Sequence, residues 1–333
     1  MRELAVALIG AGRMGIEHAK ALAAIPEARV VAVADPKKEA RELARQITKA
    51  ERAYEDALAA IADPEAEAVV IVTPTETHAE LIEAAAKAKK AIFAEKPVAL
   101  GLEETKRALD AVAAAGVPFQ IGFQRRYDPG YRRARELLDQ GAIGRVDQFR
   151  QASRDPEPPP LEYLKRSGGI FVDMTIHDFD LARFLVGEVR EVVAYGAVRT
   201  DPRVAELGDV DTAITVLFFE NGAQGVIENS RRSVYGYDIR TEVFGEGGKI
   251  VVDAVPKTPT WRFREGGLEA DHYHFFMDRF KEAYEAELRA FVEAVLEARP
   301  PSPGPEDALA ALRIALAATR SLREGRPVAV GEV

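Results

Sequence analysis

Five short apolar runs divide the first half of the chain. They cover residues 4–10, 29–35, 67–75, 90–97 and 117–123. Alanine-rich stretches with a helical pattern separate them, such as residues 77–89 and 102–115. Near-continuous apolar strands that alternate with helices are typical of a parallel sheet covered on both faces. The pattern therefore predicts a doubly wound α/β domain of the Rossmann type over residues 1–122.

The pattern changes after about residue 123. A proline-rich loop at residues 156–160 precedes a segment with a helical pattern at residues 168–186. Strand-like runs then occupy residues 189–198, 212–220, 223–230, 238–244 and 249–253. Asn221-Gly222 lies between two of these runs, and this dipeptide favours a tight hairpin. Strands joined by hairpins predict an antiparallel sheet.

Helical patterns return near the end of the chain, at residues 275–298 and 305–324. Together with the strand-like runs they predict a second domain of the α+β class over residues 123–333. We expect the helix at about 305–324 to be able to pack back on the first domain.

Composition excludes several classes of partner. The 333 residues carry a formal net charge of -9, whereas nucleic acids and anionic membranes require a basic surface. No window resembles a membrane span of roughly 20 apolar residues, and we see no signal peptide. Cysteine is absent, which excludes disulfides and thiolate chemistry and fits a cytoplasmic protein.

The segment "GAGRMG" predicts a dinucleotide site. Gly10, Gly12 and Gly15 follow an apolar run and open a helical pattern, and Asp35 ends the next run about 20 residues later. In this motif the first glycine makes the turn, the second leaves room for the pyrophosphate, and the third lets the helix approach the sheet. The expected cofactor-binding residues here are Gly10, Ala11, Gly12, Arg13, Met14 and Asp35.

Asp35 indicates which cofactor is bound. A carboxylate can accept hydrogen bonds from both ribose hydroxyls and repels a 2′-phosphate, so Asp35 favours NAD over NADP. Lys37 and Lys38 follow closely and weaken that preference. The alternative is an Asp35 that only caps the next helix.

Two further loops are predicted at the same edge of the sheet, because ligands of doubly wound sheets lie beyond the carboxyl ends of the strands. Thr73, Pro74 and Thr75 in "TPTETH" are expected to face the cofactor. His78 is a further cofactor candidate, with helix capping or packing as the alternative.

In "AEKP", Pro97 holds Lys96 extended at the end of the fourth run. Glu95 and Lys96 are therefore cofactor candidates as well. The alternative for Lys96 is an ordinary strand end that faces solvent.

The segment "GGIFVDMTIHDFD" mixes apolar and ionisable residues. Asp173 and His177 are four apart, so on a helix they share one face. This segment alone is compatible either with the polar rim of a core helix or with a catalytic pair.

The ordered set "GAGRMG", "TPTETHAEL", "AEKP" and "GGIFVDMTIHDFDLARFL" resembles the glucose–fructose oxidoreductase/inositol dehydrogenase superfamily (Gfo/Idh/MocA) over essentially the whole chain. "SRDPEPPP", "DMTIHDFD" and "NSRRSVYGYD" are further similar to its inositol 2-dehydrogenase branch. The resemblance implies an N-terminal Rossmann domain and a C-terminal domain with a large, mostly antiparallel sheet that often makes dimers and tetramers. It also implies a catalytic group, here Lys96, Asp173 and His177.

These residue types suit the oxidation of a secondary alcohol. His177 is the preferred base, because an ordinary imidazole titrates near pH 6.5. Asp173 orients the substrate and stabilises positive charge, and Lys96 polarises the reacting oxygen. The order in which His177 and Lys96 take the proton stays open.

Further substrate contacts follow from the resemblance, which implies Arg125, Asp155 and Tyr235 beside Lys96, Asp173 and His177. The alternatives are a surface salt bridge for Arg125, a turn residue for Asp155 and a sheet aromatic for Tyr235. His272 and His274 have a spacing that metal ligands can use, but no third ligand is evident and no metal is expected.

We expect an NAD-dependent enzyme that oxidises a cyclitol, best myo-inositol or a stereoisomer, to its 2-keto product. The alternative within the same class is a dehydrogenase or reductase of another sugar or polyol. A non-enzymatic, dinucleotide-sensing regulator is a remote alternative, because the catalytic group is retained. The expected partners are a small polyol or sugar and further copies of the chain.

Overall fold

The computed structural model describes residues 2–333. Two of the helices expected from the sequence, at residues 102–115 and 305–324, begin and end as expected. The α-helices are α1 (Arg13–Ala23), α2 (Lys38–Thr48), α3 (Ala57–Ile61), α4 (His78–Lys87), α5 (Leu102–Ala115), α6 (Pro129–Asp139), α7 (Leu161–Leu164), α8 (Ile176–Leu185), α9 (Arg203–Glu206), α10 (Phe276–Arg279), α11 (Lys281–Leu296) and α12 (Pro305–Glu324).

The strands form two large sheets and one separate hairpin. In chain order they are β1 (Leu4–Ile9), β2 (Ala28–Ala34), β3 (Arg52–Tyr54), β4 (Ala68–Ile71), β5 (Ala91–Glu95), β6 (Phe119–Gly122), β7 (Val146–Arg154), β8 (Val189–Ala197), β9 (Thr212–Phe219), β10 (Gln224–Ser230), β11 (Asp238–Gly245), β12 (Gly248–Val252), β13 (Trp261–Arg264), β14 (Gly267–Ala270) and β15 (Val328–Ala329).

The chain divides into two compact units. Of the described residues, the first comprises 2–127 and 282–310, and the second comprises 128–281 and 311–333. The expected boundary at residue 122 lies close to the end of the first range and stays a prediction, and most of α11 belongs to the first unit. Helix α12 is divided between the two units: its residues up to Ala310 belong to the first unit, and the rest belong to the second.

The first unit contains a six-stranded parallel sheet in the order β3-β2-β1-β4-β5-β6. Every residue of β1 and β4 is buried, as expected for strands that are covered on both faces. Leu288, Phe291 and Val292 of α11 join the core that β1 and β5 build. The doubly wound fold predicted for this half of the chain is confirmed.

The second unit contains a seven-stranded sheet in the order β12-β11-β7-β10-β9-β8-β15. It is mixed: β7 and β10 pair in parallel, and the other neighbours are antiparallel. Side chains alternate along β9, with Ala213 buried and Ile214 exposed, so one face of this sheet is covered and the other is open. The predicted α+β class with a mostly antiparallel sheet is confirmed.

The segment with the Asp–His pair begins with an irregular turn. Gly168 and Gly169 both have positive φ values, +82° and +86°, which only glycine adopts readily. A π-helical turn at Phe171–Thr175 follows and runs directly into α8. The expected helix at residues 168–186 is thus present, but its first turn is wider than an α-helix, a feature that is frequent at functional sites.

Within residues 2–333, none of the helices is both long enough and apolar enough to span a membrane.

Candidate active site

The glycine-rich turn lies between β1 and α1 in the first unit. Gly10 has φ +97°, and a Cβ atom there would lie 2.6 Å from the Val72 carbonyl oxygen. A Cβ atom at Gly15 would lie 2.2 Å from the carbonyl oxygen of Gly10. At Gly12, by contrast, a Cβ atom would meet no heavy atom within 4 Å. The first and third glycines therefore allow close backbone contacts, and the second borders open space.

That open space is suited to an anion. Helix α1 begins after Gly12 without a side-chain cap, so its first N–H groups point out of the helix end together with its positive dipole. Ala11, Arg13 and Met14 flank this helix end. The uncapped N-terminus and the room beside Gly12 fit a dinucleotide pyrophosphate.

Asp35 follows β2 and is tied to the same turn. Its Oδ2 accepts a hydrogen bond from the Ala11 N–H at 2.8 Å, and its Oδ1 accepts one from the Lys37 N–H at 2.8 Å. Each carboxylate oxygen has a further lone pair for a ribose hydroxyl. The carboxylate is thus held beside the glycine-rich turn, as a ribose-binding residue requires.

The loop after β4 is linked to the loop after β5 through His78. This ring is buried, with Nδ1 2.8 Å from the Pro97 carbonyl oxygen and Nε2 2.7 Å from the Thr73 carbonyl oxygen. Burial lowers the pKa of His78, so the ring is neutral and only one of its nitrogens donates at a time. His78 therefore ties the two loops together, which matches the packing alternative, and a contact between His78 and the cofactor stays a prediction.

Pro74 and Thr75 lie in the same loop, and Lys96 directly follows β5. Because β1, β4 and β5 are parallel neighbours, the residues after them share one edge of the sheet. Glu95 ends β5, and its Oε1 lies 2.7 Å from Nε2 of the buried His18, while a contact between Glu95 and the cofactor stays a prediction. The structure therefore places Lys96 where the sequence predicts it and gives Glu95 an internal partner.

In the second unit, Asp173 lies in the π-helical turn and His177 in the first turn of α8. Tyr163 donates its hydroxyl hydrogen to Asp173 Oδ1 at 2.6 Å, and Arg231 Nη1 donates to Oδ2 at 3.0 Å. The side chain of Arg231 is 1% exposed and that of Asp173 is 11% exposed. Both oxygens of the Asp173 carboxylate are therefore fixed by donors, one of which is a buried guanidinium group.

Asp155 lies close to Arg231 along the sheet. Strands β7 and β10 are parallel and end at Arg154 and Ser230, and the Asp155 N–H donates to the Ser230 carbonyl oxygen at 3.0 Å. Asp155 and Arg231 therefore leave the sheet side by side, and Arg231 in turn contacts Asp173.

Tyr235 is near this strand end as well. Its hydroxyl group donates to Asp238 Oδ2 at 2.7 Å, and Asp238 pairs in register with Arg154, the last residue of β7. Its ring makes an edge contact with the ring of His272, with a centroid distance of 5.9 Å. Asp155, Asp173, Arg231 and Tyr235 are thus grouped at one end of the second sheet.

Arg125 belongs to the first unit, in a short 3₁₀ turn after β6. It is 4% exposed, so the alternative of a surface salt bridge does not hold for this residue. A role of Arg125 in substrate binding stays a prediction.

Sequence reasoning missed Tyr163 and Arg231, which fix Asp173. Tyr163 is separated from Asp173 by a turn and two glycines, and nothing in its neighbourhood marks it. Arg231 is one of two consecutive arginines, and its neighbour Arg232 is exposed. The alternation along β10 shows only that one of the two arginines faces inward.

Comparisons with known proteins identify the family of both halves of the chain. Residues 4–123 match the family described as "Oxidoreductase family, NAD-binding Rossmann fold". Residues 131–251 match the GFO/IDH/MocA C-terminal domain. Together these matches include the glycine-rich turn, Lys96, Asp173 and His177.

Individual relatives match over nearly their full length. The myo-inositol 2-dehydrogenase of Thermotoga maritima is 43% identical over 98% of this chain and 99% of its own. The scyllo-inositol 2-dehydrogenase (NAD(+)) of Bacillus subtilis is 42% identical over 97% of this chain and 95% of its own. A crystal structure of scyllo-inositol dehydrogenase from Lactobacillus casei, with bound NAD(H) and scyllo-inositol, has a TM-score of 0.93 at 30% identity and covers 99% of this chain and 100% of that one.

The fold, the glycine-rich turn with its aspartate, and matches that span both units lead to one conclusion. The chain belongs to the GFO/IDH/MocA family of oxidoreductases, and its first unit is an NAD-binding Rossmann domain.

Proposed function

We propose that the chain oxidises a ring hydroxyl group of an inositol, with myo-inositol as the first candidate. The observation that carries the proposal is the Asp173 carboxylate, held by Tyr163 and Arg231 four residues before His177. A fixed carboxylate beside an imidazole is suited to hold a hydroxyl group and remove its proton. The names of the relatives from Thermotoga maritima and Bacillus subtilis support an inositol as the substrate.

Bound NAD+ supplies the acceptor for the hydride. In our proposal His177 removes the hydroxyl proton, since an imidazole titrates close to the working pH. The ammonium group of Lys96 donates a hydrogen bond to the reacting oxygen and lowers the cost of its developing negative charge. Asp173 accepts a hydrogen bond from the substrate and balances positive charge on the other two groups.

Selection of a polyol requires several donors and acceptors, because a site that pairs each hydroxyl group rejects analogues that lack one. We assign Asp155 and Tyr235 to this task, together with Arg125. The position of Asp155 beside Arg231, at the end of two parallel strands, supports its assignment. The partly exposed ring of Tyr235, whose hydroxyl group is held by Asp238, supports a contact through its face or edge.

We also propose that NAD+ is preferred to NADP+. Asp35 supports this preference, because a 2′-phosphate would bring negative charge against a carboxylate that is fixed by two backbone N–H groups.

The experiment is a steady-state screen of inositol isomers and aldoses with NAD+ and with NADP+. We expect turnover of myo-inositol with NAD+, and turnover of scyllo-inositol in its place would keep the cyclitol assignment and change the isomer. An enzyme that oxidises an aldose and none of the inositols would refute the proposal. The matched control is His177→Ala, which lacks the proposed base and which we expect to retain NAD+ binding.

Finally, we propose that copies of the chain associate through the open face of the second sheet. Tyr195 and Ile214 are directly opposite each other on β8 and β9, and they are 64% and 49% exposed. Phe244 of β11 and Val251 of β12 are also largely exposed. Large apolar side chains exposed on one face of a sheet are typical of an interaction site.

A further inference from the structure

A buried cluster of three ionisable side chains lies in the first unit next to Lys96. It consists of His18 on α1, Glu95 at the end of β5, and Glu287 on α11, and we call it the His18–Glu95–Glu287 cluster. His18 and Glu287 are fully buried, and the side chain of Glu95 is 13% exposed. One ring nitrogen and two carboxylate oxygens, one from each residue, lie within 4.8 Å of one another.

Glu95 connects this cluster to Lys96. Its Oε1 lies 2.7 Å from His18 Nε2, and its Oε2 accepts a hydrogen bond from the Lys96 backbone N–H at 3.1 Å. Rings surround the cluster: those of Phe93 and Tyr284 make edge contacts with His18, at centroid distances of 5.5 and 5.7 Å. The position of the Lys96 backbone therefore depends on how the Glu95 carboxylate is held.

Glu287 has no such anchor. Among the described residues, no N–H or O–H group donates to either of its carboxylate oxygens, although its own backbone carbonyl oxygen accepts from Gln120 Nε2 at 3.0 Å. A buried carboxylate without a partner is costly, and a buried carboxyl group usually avoids the cost by keeping its proton.

The charges around Glu287 lead to the same conclusion. The ionisable groups that face Glu287 are Glu95 on β5 and His18 on α1. Tyr284, one turn before Glu287 on α11, contacts the ring of His18, and the charge of Lys96 acts on Glu95. Burial, and then the charge of Glu95, raise the pKa of Glu287 well above its ordinary value. Burial also raises the pKa of Glu95, but the His18 hydrogen bond and the Lys96 charge outweigh it and leave that pKa lowered. Glu95 is therefore ionised and Glu287 neutral.

Distance distinguishes a proton from a metal ion in this cluster. An ionised Glu95 carboxylate can only accept hydrogen bonds, so His18 Nε2 carries the hydrogen. The 2.7 Å between His18 Nε2 and Glu95 Oε1 is a hydrogen-bond length. Two ligands that bind one divalent ion at about 2.0–2.2 Å in tetrahedral geometry are more than about 3 Å apart. The observed contact fits a shared proton.

We propose that Glu287 is a positioning residue for Lys96 that acts through Glu95. In this proposal the protonated carboxyl group of Glu287 is itself the donor and the ionised Glu95 carboxylate is the acceptor, since one oxygen of each lies within 4.8 Å of the other. The contact holds the Glu95 carboxylate against the Lys96 amide. This inference rests on the proposed function in one respect, the contact of Lys96 with the reacting oxygen.

The arrangement has a consequence for stability. Between the ordinary pKa of a glutamic acid, about 4.3, and the raised pKa in the folded protein, the folded state keeps a proton that the unfolded state has lost. Stability then falls as the pH rises through this window. A glutamine at position 287 has nearly the same shape as glutamic acid but does not ionise, so the substitution should remove this fall in stability with rising pH.

The test compares Glu287→Gln and Glu287→Leu with the unchanged protein, with Glu293→Gln on the exposed side of the same helix as control. We expect the melting temperature of Glu287→Gln to equal that of the unchanged protein below about pH 4, where Glu287 is protonated in both states, and to exceed it by a margin that widens as the pH rises toward the folded-state pKa of Glu287 and is constant above it. Melting curves that shift in parallel at all pH values would overturn the neutral Glu287. This measurement needs no substrate, so it stays readable if the inositol assignment fails.

Turnover tests the positioning role, with whichever substrate the screen identifies. Glu287→Gln keeps a donor and should retain kcat within about twofold, whereas Glu287→Leu should lose roughly tenfold in kcat, because small displacements of a reacting group are costly. The KM for NAD+ should stay unchanged in both variants. If Glu287→Leu keeps full kcat while it binds NAD+ normally, Glu287 does not position Lys96.

Discussion

Arg231 Nη1 lies 3.0 Å from Asp173 Oδ2, and the guanidinium group of Arg231 is almost completely buried. The two residues are 58 positions apart in the chain. The pair gives the Asp173 carboxylate a fixed counter-charge inside the second unit, and Tyr163 fixes the other carboxylate oxygen. His177 therefore follows a carboxylate whose orientation is set before any substrate arrives.

Replacement of Arg231 by methionine should destabilise the protein. The change leaves Asp173 without its counter-charge, and the loss of one partner of a buried ion pair costs about 3–5 kcal/mol in the free energy of unfolding. Asp173→Asn in the same chain should recover part of that loss, which a double-mutant cycle in urea measures. Arg232→Met, the same change at the exposed neighbour, is the control. Strictly additive losses would show that the two residues are not coupled.

Removal of the imidazole group of His177 should stop the reaction and spare cofactor binding. General base catalysis contributes about 10²–10⁴-fold, so His177→Ala should lower kcat by that factor. The affinity for NAD+, measured by calorimetry, should change little, because the glycine-rich turn belongs to the other unit. His274→Ala at an exposed position is the control. Wild-type turnover in His177→Ala would exclude the proposed base.

The apolar runs in the sequence predicted most of the fold, because they record burial directly. Strand β7 was not assigned from its pattern, since its inward positions include the polar residues Gln151 and Ser153. Its pairing with β10 is also distant in sequence. The helical pattern of α11 was visible, but its assignment to the first unit depends on contacts such as that between Phe291 and Phe93.

The sequence predicted those site residues that belong to a local sequence motif. Gly10, Asp35, Lys96 and the Asp173–His177 pair each stand in a recognisable local pattern. Arg231 lies in the segment "NSRRSVYGYD", but its role depends on a tertiary contact that the doublet of arginines does not reveal.

Asp35 should control the choice of cofactor. Asp35→Ser removes the carboxylate that repels a 2′-phosphate, so kcat/KM should fall for NAD+ and rise for NADP+, each by about tenfold or more, which corresponds to about 1.4 kcal/mol. Part of the loss with NAD+ comes from the hydrogen bond to the Ala11 N–H. Glu39→Gln, an exposed carboxylate in the first turn of α2, is the control. An unchanged ratio of the two kcat/KM values would remove Asp35 from cofactor selection.

Asp211 should stabilise the second unit in a pH-dependent way. Burial raises its pKa, but hydrogen bonds from the backbone N–H groups of Arg199, Thr200 and Asp201 outweigh burial and leave the pKa lowered. A lowered pKa contributes stability that is present above the ordinary value and is lost as the pH falls through the lowered one.

Asp211→Asn should therefore cost about 1–3 kcal/mol in the free energy of unfolding at pH 7, because a buried donor loses its acceptor. The difference from the unchanged protein should shrink below about pH 4, the ordinary range of an aspartic acid. Urea unfolding at pH 7, 5 and 3.5 measures it, with the exposed Asp253→Asn as control. A difference that does not depend on pH would contradict the ionised Asp211.

A charge on the open face of the second sheet should separate the proposed oligomer. Ile214→Glu places a carboxylate opposite the exposed ring of Tyr195, and burial of that charge in an interface without a partner is unfavourable. Light scattering after size exclusion should give a multiple of the chain mass for the unchanged protein and a smaller mass for Ile214→Glu. Leu43→Glu makes the same change at an exposed position on α2 and should leave the mass unchanged. If the unchanged protein is a monomer, or if Leu43→Glu separates the copies and Ile214→Glu does not, the open sheet face is not the interface.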